Sequence, residues 1–298
     1  MQIENLYEIY KQYPVISTDT RNIQLNSIFF ALKGENFNGN LFAKEALKSG
    51  AKYVVIDDPS YLEGDQYVLV DDVLKALQDL AKYHRQQLRI PIIGITGTNG
   101  KTTSKELLYA VLSQKYKTYA TKGNLNNHIG VPLTLLSIDM SYEMAVVEMG
   151  ANHIGEIAFL SNIVQPTCGL ITNVGKAHLE GFGSFDGVKK TKGELYDYLQ
   201  GHQGTLFLQG DNPYLVEMAD SRKFDHIIHY GFSGTNEVIG KLIIADPYLS
   251  ILWMQKDNDE QYEVKTNLTG SYNMENILAA VAVGLFFQLI SSRYQCRN

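Results

Sequence analysis

The sequence has little of what disulfide frameworks, membrane spans and polycationic surfaces require. Only two cysteines, Cys168 and Cys296, occur in 298 residues, which excludes a disulfide framework and favours a reducing, cytoplasmic compartment. The longest nearly apolar run, residues 277–290, is interrupted by Gly284 and Gln288 and is too short for a membrane span. The N-terminal residues contain no apolar segment typical of a secretory signal. The net charge of −6 excludes a broad cationic surface, so we expect neither nucleic acid nor a membrane as a partner.

The length predicts about two domains, and the first is expected at residues 1–87. Short apolar runs and one amphipathic pattern predict two strands and two helices, at residues 27–31, 53–56, 41–49 and 73–88. Arg89 and Pro91 end the last of these patterns, because proline interrupts a helix. We therefore place the domain boundary near residues 86–90.

The remaining residues, 88–298, show a different rhythm. Short strands rich in β-branched residues are each followed by a helical pattern, and they are predicted at residues 92–96, 144–147, 169–172 and 205–208. This alternation is typical of a mostly parallel sheet with helices on both faces. Residues 238–269 alternate instead as antiparallel hairpins do, which we expect at one edge of the sheet. The fold class is therefore α/β, with a small N-terminal domain followed by a central domain that has a mostly parallel sheet.

The strongest chemical signal is GITGTNGKTT at residues 94–103, between the strand at 92–96 and a helix predicted at 103–114. Glycines allow backbone N–H groups to turn inward around phosphate oxygens, and the helix N-terminus adds a favourable dipole. Lys101 would reach the phosphates and the Thr102 hydroxyl would bind Mg²⁺. The strict spacing requires glycine where Ile95 stands, so the usable pattern is Gly97-x-x-Gly100-Lys101-Thr102. This pattern predicts that the central domain is of the P-loop type. The alternative is a glycine-rich turn that only caps a helix.

Two further strand ends carry polar side chains. Glu148 ends the strand at 144–147, and residues 173–180, which include His178, follow the strand at 169–172. The carboxyl ends of parallel strands meet at one edge of the sheet, so Glu148 could hold Mg²⁺ beside Lys101. The alternatives are a solvated acid and a structural histidine. The lysines at 189, 190 and 192 have the pattern of a solvated helix face, and spacing alone does not single out Lys192.

Several longer motifs together resemble the Mur ligase family, the ATP-dependent amide ligases of bacterial peptidoglycan synthesis. The motifs are TDTR (18–21), SIFFALKGENFNGN (27–40), GITGTNGKTT (94–103), TKGNLNNHIGVPLTLL (121–136), VVEMGANHIGEI (146–157), ITNVGKAHLEGFGS (171–184), KTKGEL (190–195) and GSYNMENILAA (270–280). The GNLNN and AHLEGFGS strings are most similar to the branch that adds D-alanyl-D-alanine. The resemblance implies a cytoplasmic, monomeric ligase of cell-wall synthesis, on which cell shape and division depend.

The resemblance also implies the reaction. ATP would phosphorylate the terminal carboxylate of UDP-N-acetylmuramoyl-tripeptide, and D-alanyl-D-alanine would attack the resulting acyl phosphate. Lys101, His178 and Lys192 would be the catalytic residues, with Lys192 at a position that many family members carbamylate. Thr102, Glu148 and His178 would hold Mg²⁺.

Nucleotide and substrate contacts are implied in the same way. The nucleotide would be bound by Gly97, Thr98, Asn99, Gly100, Lys101, Thr102, Thr103, Asn273 and Asn276, the last two on a helix at 272–285. The UDP-linked substrate would contact Thr20, Arg21, residues 33–40, Asn124, Asn126 and Asn127.

The sequence departs from the family in three places. Family members carry a C-terminal Rossmann-like domain that is expected to be absent here, and residues 288–298 resemble a foreign tail. The usual Asp-Gly-His is Asn38-Gly39-Asn40, which would affect substrate contacts. Domain closure completes such sites, so we expect nucleotide binding to survive better than ligation. A truncated remnant that binds Mg-ATP or the UDP precursor therefore stays an alternative. A generic P-loop kinase or NTPase is a third, which the GNLNN and AHLEGFGS strings argue against.

Overall fold

The computed structural model describes residues 2–175 and 179–289, and the chain forms two compact units. The first unit comprises Met1–Arg89 and His128–Met140, and the second comprises Ile90–Asn127 and Ser141–Asn298. The segment His128–Met140 thus leaves the second unit in sequence and packs with the first.

The elements are numbered in chain order. The helices α1 to α10 are Ile3–Gln12, Ala43–Lys48, Val73–Gln87, Lys101–Leu112, Gly130–Leu136, Glu156–Val164, Leu179–Phe182, Phe185–Gly201, Pro213–Asp220 and Asn273–Phe286. The strands β1 to β15 are Ile16–Ser17, Ile28–Phe30, Lys33–Gly34, Phe37–Asn38, Tyr53–Ile56, Tyr67–Leu69, Ile92–Thr96, Thr118–Ala120, Met144–Glu148, Cys168–Ile171, Thr205–Gln209, Ile227–Gly231, Val238–Ala245, Leu249–Gln255 and Tyr262–Lys265. Short 3₁₀ turns lie at Thr20–Asn22, Gly39–Phe42 and Pro59–Tyr61.

The first unit is built on a parallel four-stranded sheet in the order β1-β2-β5-β6, beside a small β3-β4 hairpin. β2 is buried throughout, and β5 after its first residue, as parallel strands covered on both faces require. The Asp72 carboxylate caps α3 by accepting the N–H of Lys75 at 2.7 Å. The predicted strands and the α3 helix are confirmed. The predicted helix at 41–49 begins only at Ala43, because Gly39–Phe42 forms a 3₁₀ turn.

The second unit contains a nine-stranded sheet in the order β15-β14-β13-β12-β11-β10-β7-β9-β8. The strands from β8 to β13 are parallel, and β13, β14 and β15 form the antiparallel edge that the alternating sequence predicts. The chain passes from β7 to strands on one side and then returns to β10 on the other side. The order therefore reverses at β7, and its carboxyl end is where α/β sheets form a ligand crevice.

Two helices frame that end of β7. α4 begins at Lys101, two residues earlier than the sequence predicts, because Gly100 adopts a positive φ of 78° and ends the loop there. α10 packs against α4 and is buried from Met274 through Gly284 except at Glu275. Among the helices of the described residues, none combines the length and the apolar character that crossing a membrane requires.

Candidate functional site

The loop between β7 and α4, residues 97–100, is fastened to the carboxyl end of β10. Gly97 has a φ of 149°, and a Cβ there would lie 2.0 Å from Thr172 Oγ1, so only glycine fits. The Thr172 hydroxyl donates to the Asn99 carbonyl at 2.5 Å, and the Asn99 N–H donates to Asn173 Oδ1 at 2.9 Å. The Thr98 N–H donates to the Asn173 carbonyl at 3.0 Å. The strand end of β10 therefore helps to fix the conformation of the loop.

Lys101 places a cation inside this loop. Its Nζ donates to the carbonyls of Gly97 at 2.9 Å and Thr98 at 3.1 Å. Burial lowers the pKa of the Lys101 ammonium, and the Glu148 carboxylate partly offsets that effect. The residue is also the first of α4, where N–H groups without helical partners favour anions. Lysine, loop and helix N-terminus together provide the chemistry of a phosphate site.

Thr102 and Glu148 form the oxygen pair that the sequence suggested. The Thr102 hydroxyl donates to Glu148 Oε2 at 3.1 Å, although 46 residues separate the two. The other carboxylate oxygen, Oε1, accepts from Asn126 Nδ2 at 2.8 Å, and the side chain is only 2% exposed. Hydroxyl and carboxylate oxygens are the ligands that Mg²⁺ prefers, so this donor set fits the ion. Within the described residues, no group of three His, Cys, Asp or Glu side chains forms a further candidate metal site.

His178, the predicted second metal ligand and catalytic residue, lies outside the described residues. The chain that leads toward it is described as far as Gly175, whose N–H donates to Thr98 Oγ1 at 2.9 Å. The segment that leads from β10 toward His178 is therefore attached to the loop at residues 97–100, which we call the phosphate loop.

Lys192 corrects the expectation of a solvated helix face. It is 3% exposed on α8, whereas Lys190, two residues earlier, is exposed. Burial, and then the charge of Lys101, lowers the pKa of the Lys192 amine to about 8. Its Nζ lies 5.6 Å from the centre of the Phe182 ring. Lys192 has helical spacing to Leu195 and Leu199, which are buried, and this spacing could have predicted its burial. The neighbouring lysines instead suggested an exposed face.

Asn273 and Asn276 are brought beside the loop, but their amides already have protein partners. Asn276 Oδ1 accepts from the Ser104 hydroxyl at 2.9 Å, and its Nδ2 donates to Asn273 Oδ1 at 2.8 Å. Asn273 Nδ2 donates to the Thr269 carbonyl at 2.9 Å. The Asn276 amide would lie 3.0 Å from a Cβ at Gly100. The sequence analysis missed Ser104, which joins α4 to α10.

The three asparagines of the GNLNN string have different settings. Asn126 supports Glu148, and its backbone carbonyl accepts the Gly150 N–H at 2.7 Å. The side chains of Asn124 and Asn127 are exposed, and the Asn124 carbonyl accepts the Asn126 N–H at 2.8 Å. Thr103, also predicted to contact nucleotide, lies half-buried in the first turn of α4.

In the first unit, the predicted substrate residues form two local networks. The Arg21 guanidinium donates to both oxygens of Asp19, at 2.9 and 2.7 Å, and these hydrogen bonds lower the Asp19 pKa to about 2. Thr20 lies between them in a 3₁₀ turn. In the segment 33–40, fully buried Asn40 accepts the Asp57 N–H at 3.1 Å and donates to the Asp57 carboxylate at 2.8 Å.

Comparison with known proteins gives a family to which this geometry belongs. A model of the Mur ligase middle domain matches residues 95–284, and a model described as Mur ligase family, catalytic domain, matches residues 12–92. The chain belongs to the Mur ligase family. The Mur ligase middle-domain match includes the loop at residues 97–100, Glu148, Lys192 and the part of α10 that carries Asn273 and Asn276, so the whole candidate site of the second unit falls inside it.

Individual relatives of this Mur ligase chain agree on one branch. The UDP-N-acetylmuramoyl-tripeptide–D-alanyl-D-alanine ligase of Bacillus subtilis is 37% identical, over 91% of this chain and 58% of the relative. A crystal structure of MurF from Acinetobacter baumannii has a TM-score of 0.82 at 32% identity, covering 93% of this chain and 60% of that chain. MurF from Thermotoga maritima, solved in complex with ADP, has a TM-score of 0.80 at 28% identity, with 92% and 63% covered. The chain thus spans less than two thirds of the length of each relative.

Proposed function

We propose that this chain carries the nucleotide-binding machinery of an ATP-dependent amide ligase that joins D-alanyl-D-alanine to UDP-N-acetylmuramoyl-tripeptide. The observation that carries the proposal is the meeting of Lys101, in its glycine loop, with the Thr102–Glu148 pair at the carboxyl end of β7. The names of the relatives supply the substrates, and one of them was solved with ADP. Cytoplasmic location, a monomeric state and the absence of a nucleic-acid partner belong to the same proposal.

Lys101 and the N–H groups at the start of α4 hold the phosphates of ATP. The Lys101 ammonium exchanges its two loop carbonyls for phosphate oxygens, which are stronger partners because they are charged. Thr102 and Glu148 would hold Mg²⁺, with His178 as the proposed ligand of a second ion. Mg²⁺ supplies neutralisation of the negative charge that accumulates when two anions are brought together. Asn276, supported by Asn273, fixes α10 against Ser104 of α4 on the side proposed for adenine.

The reaction follows from the weakness of a carboxylate as an electrophile. Transfer of the γ-phosphoryl group of ATP to the tripeptide carboxylate gives an acyl phosphate and ADP. The dipeptide amine then attacks the acyl carbon, phosphate leaves with the C–O bond electrons, and the amide forms with loss of a proton. Lys101 supplies positive charge at this step. Lys192 is the proposed site of carbamylation because its amine has a lowered pKa, and the modification would turn this cation into an anion that supports a metal ion. Thr20, Arg21, Asn124, Asn126 and Asn127 are the proposed contacts to the UDP-linked substrate.

The test is phosphate release by the purified chain with Mg-ATP and UDP-N-acetylmuramoyl-tripeptide, with and without D-alanyl-D-alanine. The pentapeptide product is identified by its mass, and L-alanyl-L-alanine serves as the matched control dipeptide. Release that requires the D,D-dipeptide and yields the pentapeptide supports the ligase. Binding of Mg-ATP without any turnover would favour the remnant, and release without either cell-wall substrate would favour a generic NTPase.

A further inference from the structure

Lys105 is a buried charge that the proposed chemistry does not use. It lies one turn after Lys101 on α4 and is only 2% exposed. Its Nζ donates to the Thr121 carbonyl at 2.7 Å and lies 2.9 Å from a carboxylate oxygen of Glu106, whose side chain is 63% exposed. Removing an ammonium from water is energetically costly before its new partners compensate. A methionine or leucine would fill the same space without that cost, so we attribute the buried cation to its hydrogen bond with the Thr121 carbonyl.

Thr121 connects this cation to the candidate site. It follows β8 directly and is 2% exposed. Its N–H donates to the Val146 carbonyl at 3.0 Å, and its Oγ1 accepts the Glu148 N–H at 3.0 Å. Thr121 is thus bonded on both sides: its carbonyl accepts a hydrogen bond from Lys105, and its hydroxyl oxygen accepts one from the backbone of Glu148.

The Glu148 carboxylate depends on the same segment. Oε1 accepts from Asn126, which lies five residues after Thr121, and Oε2 accepts from Thr102, three residues before Lys105 on α4. The Asn126 carbonyl also accepts the Gly150 N–H. The backbone of Glu148 and one of its carboxylate oxygens are therefore both bonded by residues of the segment that Lys105 anchors at its start.

We propose that Lys105 is a positioning residue, which fixes segment 121–126 and through it the orientation of the Glu148 carboxylate toward Mg²⁺. The role rests on the proposed function, in which Glu148 binds the ion. Partners behind a metal ligand hold its donor atoms in place and so set the affinity for the metal. Lys105 thereby links the helix that begins at the phosphate loop to the carboxylate opposite it.

The test is a calorimetric titration of ADP into the chain at a series of Mg²⁺ concentrations, with an Mg²⁺-free titration in chelator. The variants are Lys105→Met, which keeps the length of the side chain, and Thr121→Val, which keeps its shape. Mg²⁺ is expected to increase the affinity for ADP, and the Mg²⁺ concentration at which half of this increase is reached is the quantity compared. Both variants are expected to raise that concentration by about 10-fold and to leave the ADP affinity without Mg²⁺ unchanged. Thr121→Ser retains the hydroxyl and is expected to behave as the wild type.

Leu108→Ala is the matched control, because Leu108 is a fully buried residue of the same helix without a polar contact to the site. It is expected to lower the melting temperature and leave the Mg²⁺ dependence unchanged. Wild-type Mg²⁺ dependence in a folded Lys105→Met or in Thr121→Val, or an equal shift in Leu108→Ala, would overturn the positioning role. If Lys105→Met does not fold, Lys105→Gln is titrated in its place, with a shift in the same direction expected. If the ADP affinity of the wild-type chain does not depend on the Mg²⁺ concentration, the proposed function is overturned, and the positioning role with it.

Discussion

The charge of Lys101 opposes that of Lys192, and it adds to the larger effect of burial in lowering the Lys192 pKa to about 8. One of these lysines follows β7 and the other lies on α8, so only the fold makes them neighbours. Near pH 8 a large fraction of the Lys192 amines is neutral, and the neutral amine is the form that reacts with carbon dioxide. The pair therefore favours carbamylation at Lys192 over the exposed Lys190 of the same helix.

We predict that Lys192 is carbamylated when the chain is equilibrated with ¹³C-bicarbonate near pH 8. The expected result is a carbamate signal in the ¹³C spectrum that disappears in Lys192→Ala and remains in Lys190→Ala, the exposed control. In the ligase assay, a small added carboxylate is expected to restore part of the activity of Lys192→Ala. A wild-type spectrum identical to that of Lys192→Ala would rule the modification out.

Gly97→Ala is expected to damage the loop far more than Gly123→Ala. At Gly97 a Cβ would lie 2.0 Å from Thr172 Oγ1 at a φ of 149°, so strain and overlap add to roughly 3 kcal/mol of lost unfolding free energy. At Gly123 the φ is 55° and a Cβ would meet nothing within 4 Å, so only the left-handed backbone costs about 1 kcal/mol. Urea unfolding of both variants measures the difference. Equal losses would mean that the close approach of Gly97 to Thr172 does not exist in solution.

We predict that the free energy of unfolding decreases as the pH is lowered, because of His84, a buried residue of the first unit. Its Nε2 lies 2.7 Å from the Ile138 carbonyl and its Nδ1 lies 3.2 Å from the Tyr7 hydroxyl, so Nε2 carries the proton and Nδ1 accepts. Burial lowers the pKa of His84 below its usual 6.5, which means that the folded state favours the neutral ring. The resulting stabilisation is complete above pH 6.5 and is lost as the pH falls through the lowered pKa.

Urea unfolding between about pH 7.5 and about pH 5.5 measures this effect. The unfolding free energy of the wild type is expected to decline more steeply than that of His84→Gln. His128→Gln, which alters an exposed histidine, is the control and should follow the wild type. Parallel declines for the wild type and His84→Gln would show that carboxylates alone cause the loss.

The sequence predicts the elements of the site better than it predicts their contacts. Alternating strands and helices place Lys101, Thr102 and Glu148 at one sheet edge, and the 3.1 Å contact between the last two confirms that inference. Periodicity also predicts α3 and the antiparallel edge at β13 to β15. These features follow from local pattern and from the rule that parallel strands share a carboxyl edge.

Contacts between distant segments were beyond such patterns. The burial of Lys192 and Lys105 depends on which face of the helix packs against the sheet. A lysine in the sequence indicates an exposed face, so the pattern does not predict that these two are buried. The packing of His128–Met140 with the first unit was missed for a similar reason, since its helix resembles any crossover between two strands. Its hydrogen bonds, such as the Tyr10 hydroxyl to the Leu136 carbonyl at 2.7 Å, join residues 126 positions apart.

The affinity for Mg-ATP of the wild type and of Lys101→Ala tests the central claim most directly. Lys101 is the one side-chain cation that the proposal places on the phosphates, and hydrogen bonds to charged groups predict a loss of about 10- to 100-fold in the variant. Lys122→Ala removes an exposed lysine of the same unit and is expected to bind as the wild type does. Tight binding that Lys101→Ala weakens, with an unchanged melting temperature, is the predicted result. Equal Mg-ATP affinity in the wild type and Lys101→Ala would contradict the assignment of this loop as the phosphate site.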